Sequence, residues 1–358
     1  MAIQSAFTLN PNEIFASLAN MIISQEVFAD NLGKHQTLVD KARVDGSLYG
    51  DKKLYYATDV LESHVWGADA EASNLLALDR PQDPEVQAIT LDVFRQIRLT
   101  VDNYLTKRAW SSEGAFSSFN SVMLGWMRET KRVYDGTLYN VFIGTNESAI
   151  GAQKQTVASK SAQTPEAEAK IIAEKIANIL VEMSDYNRDY NDYGFLRSYS
   201  EDAIKVIWNS KFVNKIRKVD LPAIFHKEGL VDKFDEEVLP ARYFGTKNTA
   251  KVTTAQNTGN YRSVIEKTYT KSGTQYHVFP GDVIPAGVEI EIGEGYTVDA
   301  DIICKIVVKL PPFMSAFEVG TSFFNPRSLT ENHYLTFGHN TLTALKNYPF
   351  VTLRASAE

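Results

Sequence analysis

The chain has 358 residues, of which 44% are hydrophobic and 23% charged, enough to bury a substantial core in about two compact bodies and too apolar for global disorder. Its 37 basic and 44 acidic side chains leave a net charge of -7, a mild excess that disfavours strong non-specific binding to nucleic acid phosphates. A single cysteine, Cys304, excludes an intramolecular disulfide framework and any cysteine zinc cage, and fits reducing cytoplasm.

The N-terminus has no basic start ahead of its apolar positions, so it does not read as a signal peptide, and no stretch approaches the roughly 18 uninterrupted apolar residues of a membrane span. A soluble protein, intracellular when made, is expected. Asn10-Pro11-Asn12-Glu13 opens a short amphipathic helix carrying Ile14, Phe15, Leu18 and Ile22, followed by a polar, glycine-punctuated segment. This reads equally as a docking arm or as an ordinary first helix. Further on, Ile89, Leu91, Val93, Ile97, Leu99 and Val101 alternate with Thr90, Asp92, Gln96, Arg98 and Thr100, the period-two pattern of a strand with one buried face. "LYYATDVLESHVW" upstream is a possible partner and "DRPQDPE" supplies turn chemistry, giving a long hairpin. An isolated two-stranded ribbon is marginally stable in water, so its apolar face must lie on its own domain or on a neighbouring molecule.

Phe116, Phe119, Met123, Trp126, Met127 and Tyr134 fall on one stripe of a helix expected over about 112–134, a rod of about 33 Å. Asp135-Gly136 is expected to break it before a second short helix in "TLYNVFIG". Thr164-Pro165-Glu166 opens another helix, with Ala169, Ile172, Ala173, Ile176, Ile179, Leu180 and Met183 as its apolar face. A strand, the Asn209-Ser210 cap and a helix with Phe212, Val213 and Ile216 mark a second body. Residues 245–295 read as β-hairpins and loops, 302–310 as a buried strand holding Cys304, and 323–355 as a long extended stretch. Helices and strands come in blocks, which points to an α+β fold.

The chemistry-bearing patterns fail on inspection. Asp185, Asn187 and Asp189 begin like a calcium loop, but Tyr190 stands where the glycine belongs and Leu196 where the bidentate glutamate belongs. His333 and His339 would share one side of a strand roughly 20 Å apart, too far for one metal, and read as histidines of an exposed or interfacial strand. His226 has Lys227 and Glu228 beside it but no nucleophile pattern. No phosphate loop, nucleophile elbow or zinc-helix motif is present, and no cofactor is expected.

Three segments carry a family likeness: "AFSSFNSVMLGWMRETKRVYDGTLYNVFIG", "SYSEDAIKVIWNSKFVNKIRKVDLPAIFHKEG", and "FNPRSLTENHYLTFGHNTLTAL" with its turn at Asn325, Pro326 and Arg327. In order and pattern they resemble the major capsid proteins of tailed bacteriophages, in particular those of small short-tailed phages. The resemblance implies the tailed-phage and herpesvirus type of capsid fold: an N-terminal arm (1–54), an extended-loop hairpin (55–110) lying across an adjacent subunit, a peripheral domain with a spine helix (111–195), an axial domain (196–310) with an inserted β region at 245–295, and a return to the peripheral domain with a long C-terminal strand (311–358). It further implies a non-enzymatic protein, made in the host cytoplasm, that assembles with itself as hexamers and pentamers into an icosahedral head. That head would enclose double-stranded DNA without sequence-specific binding, with portal and scaffolding proteins as partners and no membrane. The apolar hairpin face (Ile89, Leu91, Val93, Ile97, Leu99, Val101) would then be an inter-subunit surface, and Phe116, Phe119, Met123, Trp126 and Met127 the core of the spine helix. Two alternatives stay open: the shell of a cellular nanocompartment on the same fold, and a soluble metal-dependent or hydrolytic enzyme using His226, His333 or His339.

Overall fold

The computed structural model describes residues 37–46, 52–63, 80–102, 113–162, 164–216 and 235–356, without the side chains of 37, 102, 113–124, 214–216 and 316–319. The expected N-terminal helix and His226 lie outside the described residues. The elements are α1 (Thr37–Ala42), β1 (Arg43–Asp45), β2 (Lys52–Ala57), β3 (Glu85–Asp102), α2 (Glu113–Thr145), β4 (Lys154–Val157), α3 (Pro165–Ser184), β5 (Lys205–Asn209), α4 (Ser210–Ile216), β6 (Asp235–Leu239), β7 (Gly245–Lys247), β8 (Tyr261–Ser263), β9 (Lys267–Lys271), β10 (Thr274–Val278), β11 (Gly295–Val298), β12 (Ile302–Val307), β13 (Phe313–Asn325), β14 (Thr330–Asn340) and β15 (Phe350–Ala355).

Two five-stranded sheets organise them. The long sheet has the order β1-β13-β14-β3-β2 and the second sheet β4-β15-β12-β5-β6. The stretch 323–355 is therefore not one strand. It supplies the end of β13, a hairpin turn at 326–329, all of β14, and then β15 in the other sheet. Asn325 Oδ1 accepts the Arg327 backbone N–H at 3.1 Å and Leu329 adopts φ 53°, which closes the turn.

α2 runs unbroken for 33 residues through Asp135-Gly136. A helix-interior glycine costs only about 1 kcal/mol, and packing of Tyr134, Leu138, Tyr139, Phe142 and Ile143 against Phe313, Phe337 and Phe350 outweighs it. Asp135 itself is held by Lys131 one turn earlier, Nζ to Oδ2 2.8 Å. The helix reaches the body at Gly144, where a Cβ would stand 2.2 Å from the Tyr243 carbonyl oxygen, so only glycine permits this approach.

α3 is capped by the Thr164 hydroxyl, which accepts the Ala167 N–H at 3.2 Å, with Pro165 in the first turn. Its face of Ala169, Ile172, Ile176, Ile179, Leu180 and Met183 covers the second sheet, packing with Val206, Ile303, Cys304, Ile306, Val351 and Leu353. Asn209 joins β5 to α4: its Nδ2 donates to the Ile302 carbonyl at 2.9 Å and its Oδ1 accepts the Lys211 N–H at 3.1 Å. The second sheet draws on three of the segments read from the sequence. β4 and α3 come from 111–195 and β15 from 311–358, all joining the second sheet, because α3 has one apolar stripe to bury and β15 is buried on both faces.

Residues 245–298 form a small β module. β7-β11-β8 make one sheet and β9-β10 a hairpin, around Val252, Tyr269, Val278, Ile284, Val288 and Ile290. An Arg95–Glu266 ion pair at 2.7 Å ties the module to the long sheet.

Candidate assembly interface

β3 is shared between two partners. Its first six residues pair with β2, Tyr56 opposite Val86 and Leu54 opposite Ala88. From Leu91 to Asp102 it pairs with β14, Leu99 opposite His333 and Ile97 opposite Leu335. The segment upstream is thus a partner for only the root of β3, and the remainder belongs to a three-stranded ribbon β13-β14-β3.

From Val93 to Val101 odd residues of β3 share one face with odd residues of β14, and α2 lies over that face at Ile97. A bulge at Asp92 reverses the alternation, so Ile89 and Leu91 lie on the other face. Ile89 and Val101 are buried, Leu91, Val93, Ile97 and Leu99 half-buried, and Ile97 packs with the α2 core. Ile89 lies against Met314 and Leu345. Of the residues expected between subunits, Ile97 is covered by this chain's own α2, and Ile89 and Leu91 by its Met314 and Leu345. On α2 the covering stripe runs Met127, Lys131, Tyr134, Leu138, Phe142, and Trp126, about 100° off that stripe, is 45% exposed rather than core. The placement of the Phe116, Phe119 and Met123 side chains lies outside the described residues.

The same junction holds the polar contacts of the ribbon. His339, read as exposed or interfacial, is buried: its Nδ1 faces the Asn340 carbonyl at 2.9 Å and its Nε2 the Tyr134 hydroxyl at 2.8 Å. A carbonyl can only accept, so Nδ1 carries the proton and Nε2 accepts from Tyr134. Burial pushes the imidazole below its ordinary value and the Tyr134 phenol up to about 12. Neither group is poised for acid–base chemistry. His333 lies half-buried on the same face, 3.7 Å from Glu331. No group of three or more His, Cys, Asp or Glu that could hold a metal occurs among the described residues, and no described helix is long and apolar enough to cross a membrane.

What is uncovered is the opposite face at the ribbon root. Leu54, Tyr56 and Val86 are 44%, 63% and 45% exposed, on the side away from Tyr55 and Ile89. Val60 and Leu61 extend the patch past β2. Past the bulge at Asp92, Phe94, 61% exposed, lies on the other face, where a Cβ on Gly338 would come within 3.1 Å of both Phe94 and Leu91. In the sequence Phe94 falls in the polar register of an otherwise regular alternation.

The start of the segment after β2 is pinned to the body. Asp59 accepts from Arg188 Nη1 at 2.6 Å and from the Leu196 N–H at 2.9 Å, and Arg197 donates to the Thr58 carbonyl. The hydrogen bond from Arg188, then that from Leu196, holds the Asp59 carboxyl at about 2. Its folded value lies below the ordinary 3.8, so the pin is complete above about pH 4 and is lost as pH falls toward 2. Asp59→Asn is expected to open residues 58–63 to limited proteolysis at neutral pH, with wild type following only in strong acid. Equal cleavage rates at pH 7 would remove the pin.

The sequence matches the Phi29-like phage major capsid protein family over residues 2–351. The chain belongs to that family. Among solved structures, the capsid protein is similar to a chain of the Staphylococcus phage Andhra capsid, with 11% identity and TM-score 0.56 over 88% of this chain and 83% of that one. A chain in the structure of the head fiber and inner core protein of native bacteriophage P68 gives 9% identity and TM-score 0.57 over the same shares. At these identities the likeness shows the fold, a tailed-phage major capsid fold of mixed helix and sheet. Among curated proteins none matches. The capsid protein is a subunit of a phage shell, and its uncovered ribbon root is a surface of a molecule that functions among copies of itself.

Proposed function

We propose that the chain builds an icosahedral head by self-association into hexamers and pentamers, without enzymatic activity. The head encloses double-stranded DNA, and portal and scaffolding proteins take part in its assembly. The long sheet with α2 forms the peripheral domain, and the α3-covered sheet with the β module forms the axial domain. Residues 52–90 and their connection act as the extended loop that lies across a neighbouring subunit. One observation carries this reading: the apolar stripe Leu54, Tyr56 and Val86 is exposed at a ribbon root whose other face is already filled by Tyr55, Ile89, Met314 and Leu345. Contiguous exposed apolar surface of this kind marks an interaction site, and repeated heterologous contacts between copies extend into closed shells. The net charge of -7 suits a wall that contains DNA without gripping it.

Tyr56→Asp with Val86→Asp places charge on the exposed stripe without touching the core. The double variant is expected to melt with wild type as a free chain, while particle yield in gradients and electron micrographs falls at least tenfold. Wild-type particle yield would remove this stripe from the subunit contact.

A further inference from the structure

Among the described residues the outer edge of β13 is open. β1 pairs with it only at Phe313–Ser315, in parallel, and β14 occupies its other side throughout, so no described strand pairs with the outer row of backbone N–H and C=O groups of residues 316–325. Gly320 to Phe324 are all exposed, with Phe323 at 62% and Phe324 at 48%. Between this strand pair and α2 lies a cleft of about 680 Å³, bounded by Met127 and Arg128 on the helix and by Gly320, Ser322 and His333 on the strands.

Proteins normally blunt such edges with charge, proline or brevity. The other edges among the described residues obey this. β6 carries Asp235, Glu236 and Glu237, β2 begins Lys52-Lys53, the free part of β3 carries Asp92, Arg95 and Arg98, and the remaining edge strands have six residues or fewer. The free part of β13, "AFEVGTSFFN", has Glu318 as its one charge and no proline. A long edge with a single charge, left bare where every other described edge is guarded, is a template for strand addition.

We infer that this edge is completed in the shell by an extended segment of a second copy of the chain, which adds a strand beside residues 316–325. This rests on the shell reading. Its own support is the vacant strand position, already begun by β1 on the same edge, and the adjoining cleft, into which alternate side chains of the incoming strand would project. Main-chain hydrogen bonds would supply the affinity and the cleft the register.

Hydrogen exchange with residue-level fragmentation, on the full chain free and in purified particles, tests it. Particles are taken from cells expressing the chain alone or with its flanking genes. Only every second amide of 316–325 faces the outer edge, so assembly is expected to slow alternate amides by at least 100-fold. Particles whose 316–325 amides exchange as in the free chain, or slow without alternation, overturn the added strand while leaving the shell reading intact. Absence of particles under both conditions overturns both. Thr321→Lys with Phe323→Lys, a guard of the kind found on the other edges, is expected to leave the free chain's melting unchanged and to lower particle yield at least tenfold. Undiminished yield counts against the inference.

Discussion

Lys131→Ala lowers the unfolding free energy of the unassembled chain by about 3–5 kcal/mol, because it strands a buried carboxylate. Asp135 is 1% exposed and Lys131 8%, with Nζ and Oδ2 2.8 Å apart. Burial raises the Asp135 carboxyl, while Lys131 and then Arg43 pull against it. With Lys131 gone, the only cation left beside it among the described residues is Arg43 at 3.5 Å, itself 35% exposed, and Asp135 Oδ1 already has no hydrogen-bond partner. Lys131 Nζ also sits 3.4 Å from Ser315 Oγ and 5.3 Å from the centre of the Phe337 ring, so the pair joins α2 to β13 and β14. Replacing both partners by apolar residues, Lys131→Met with Asp135→Leu, removes the stranded charge and is expected to recover most of the loss. Urea unfolding followed by circular dichroism measures all three. A single variant that loses less than about 1 kcal/mol would show that the pair behaves as if exposed to water.

Lys305→Met changes how stability depends on pH. Lys305 lies fully buried in the middle of the second sheet, donating to the Asn146 carbonyl just past the end of α2 at 2.8 Å and to Thr352 Oγ1 at 2.9 Å. Burial lowers its amine from 10.5 to about 7. Between those values the unfolded chain holds a proton that the folded chain does not, so stability rises with pH there by up to about 1.4 kcal/mol per unit. The penalty for the charged amine is complete below about pH 7 and is relieved as pH approaches 10.5. Wild type is therefore expected to gain on Lys305→Met by a few kcal/mol between about pH 6.5 and 10, read from urea midpoints of the two proteins at matched pH. Parallel profiles would show that the helix-end carbonyl keeps the ammonium charged throughout.

The elements were largely legible in the residues and their partners were not. Thr164-Pro165 and the stripe ending at Met183 mark α3 to the residue, since cap and periodicity are local properties. The alternation over 89–101 marks β3 as a strand with two unlike faces. Period two cannot say what covers each face, nor show the bulge at Asp92: the chain's own α2 meets Ile97, while Ile89 and Leu91 turn the other way onto Met314 and Leu345. Asp135-Gly136 carries a local break signal that distant packing overrides, through contacts with residues 313, 337 and 350. The same long-range pairing hides the burial of His339, whose partner Tyr134 is 205 positions away. Phe94 carried a visible mark of its exposure, as an aromatic ring in a polar register.

β15 occupies the second sheet between β4, paired in parallel, and β12, paired antiparallel. While residues 350–355 are still inside the ribosome, β4 has no strand beside it and the β12 edge that β15 covers stands bare, although all their other neighbours have been synthesised. The second sheet therefore closes only after translation has passed residue 355. Placing so late a strand second from the edge ties completion of that sheet to residues 350–355, however early its other strands emerge.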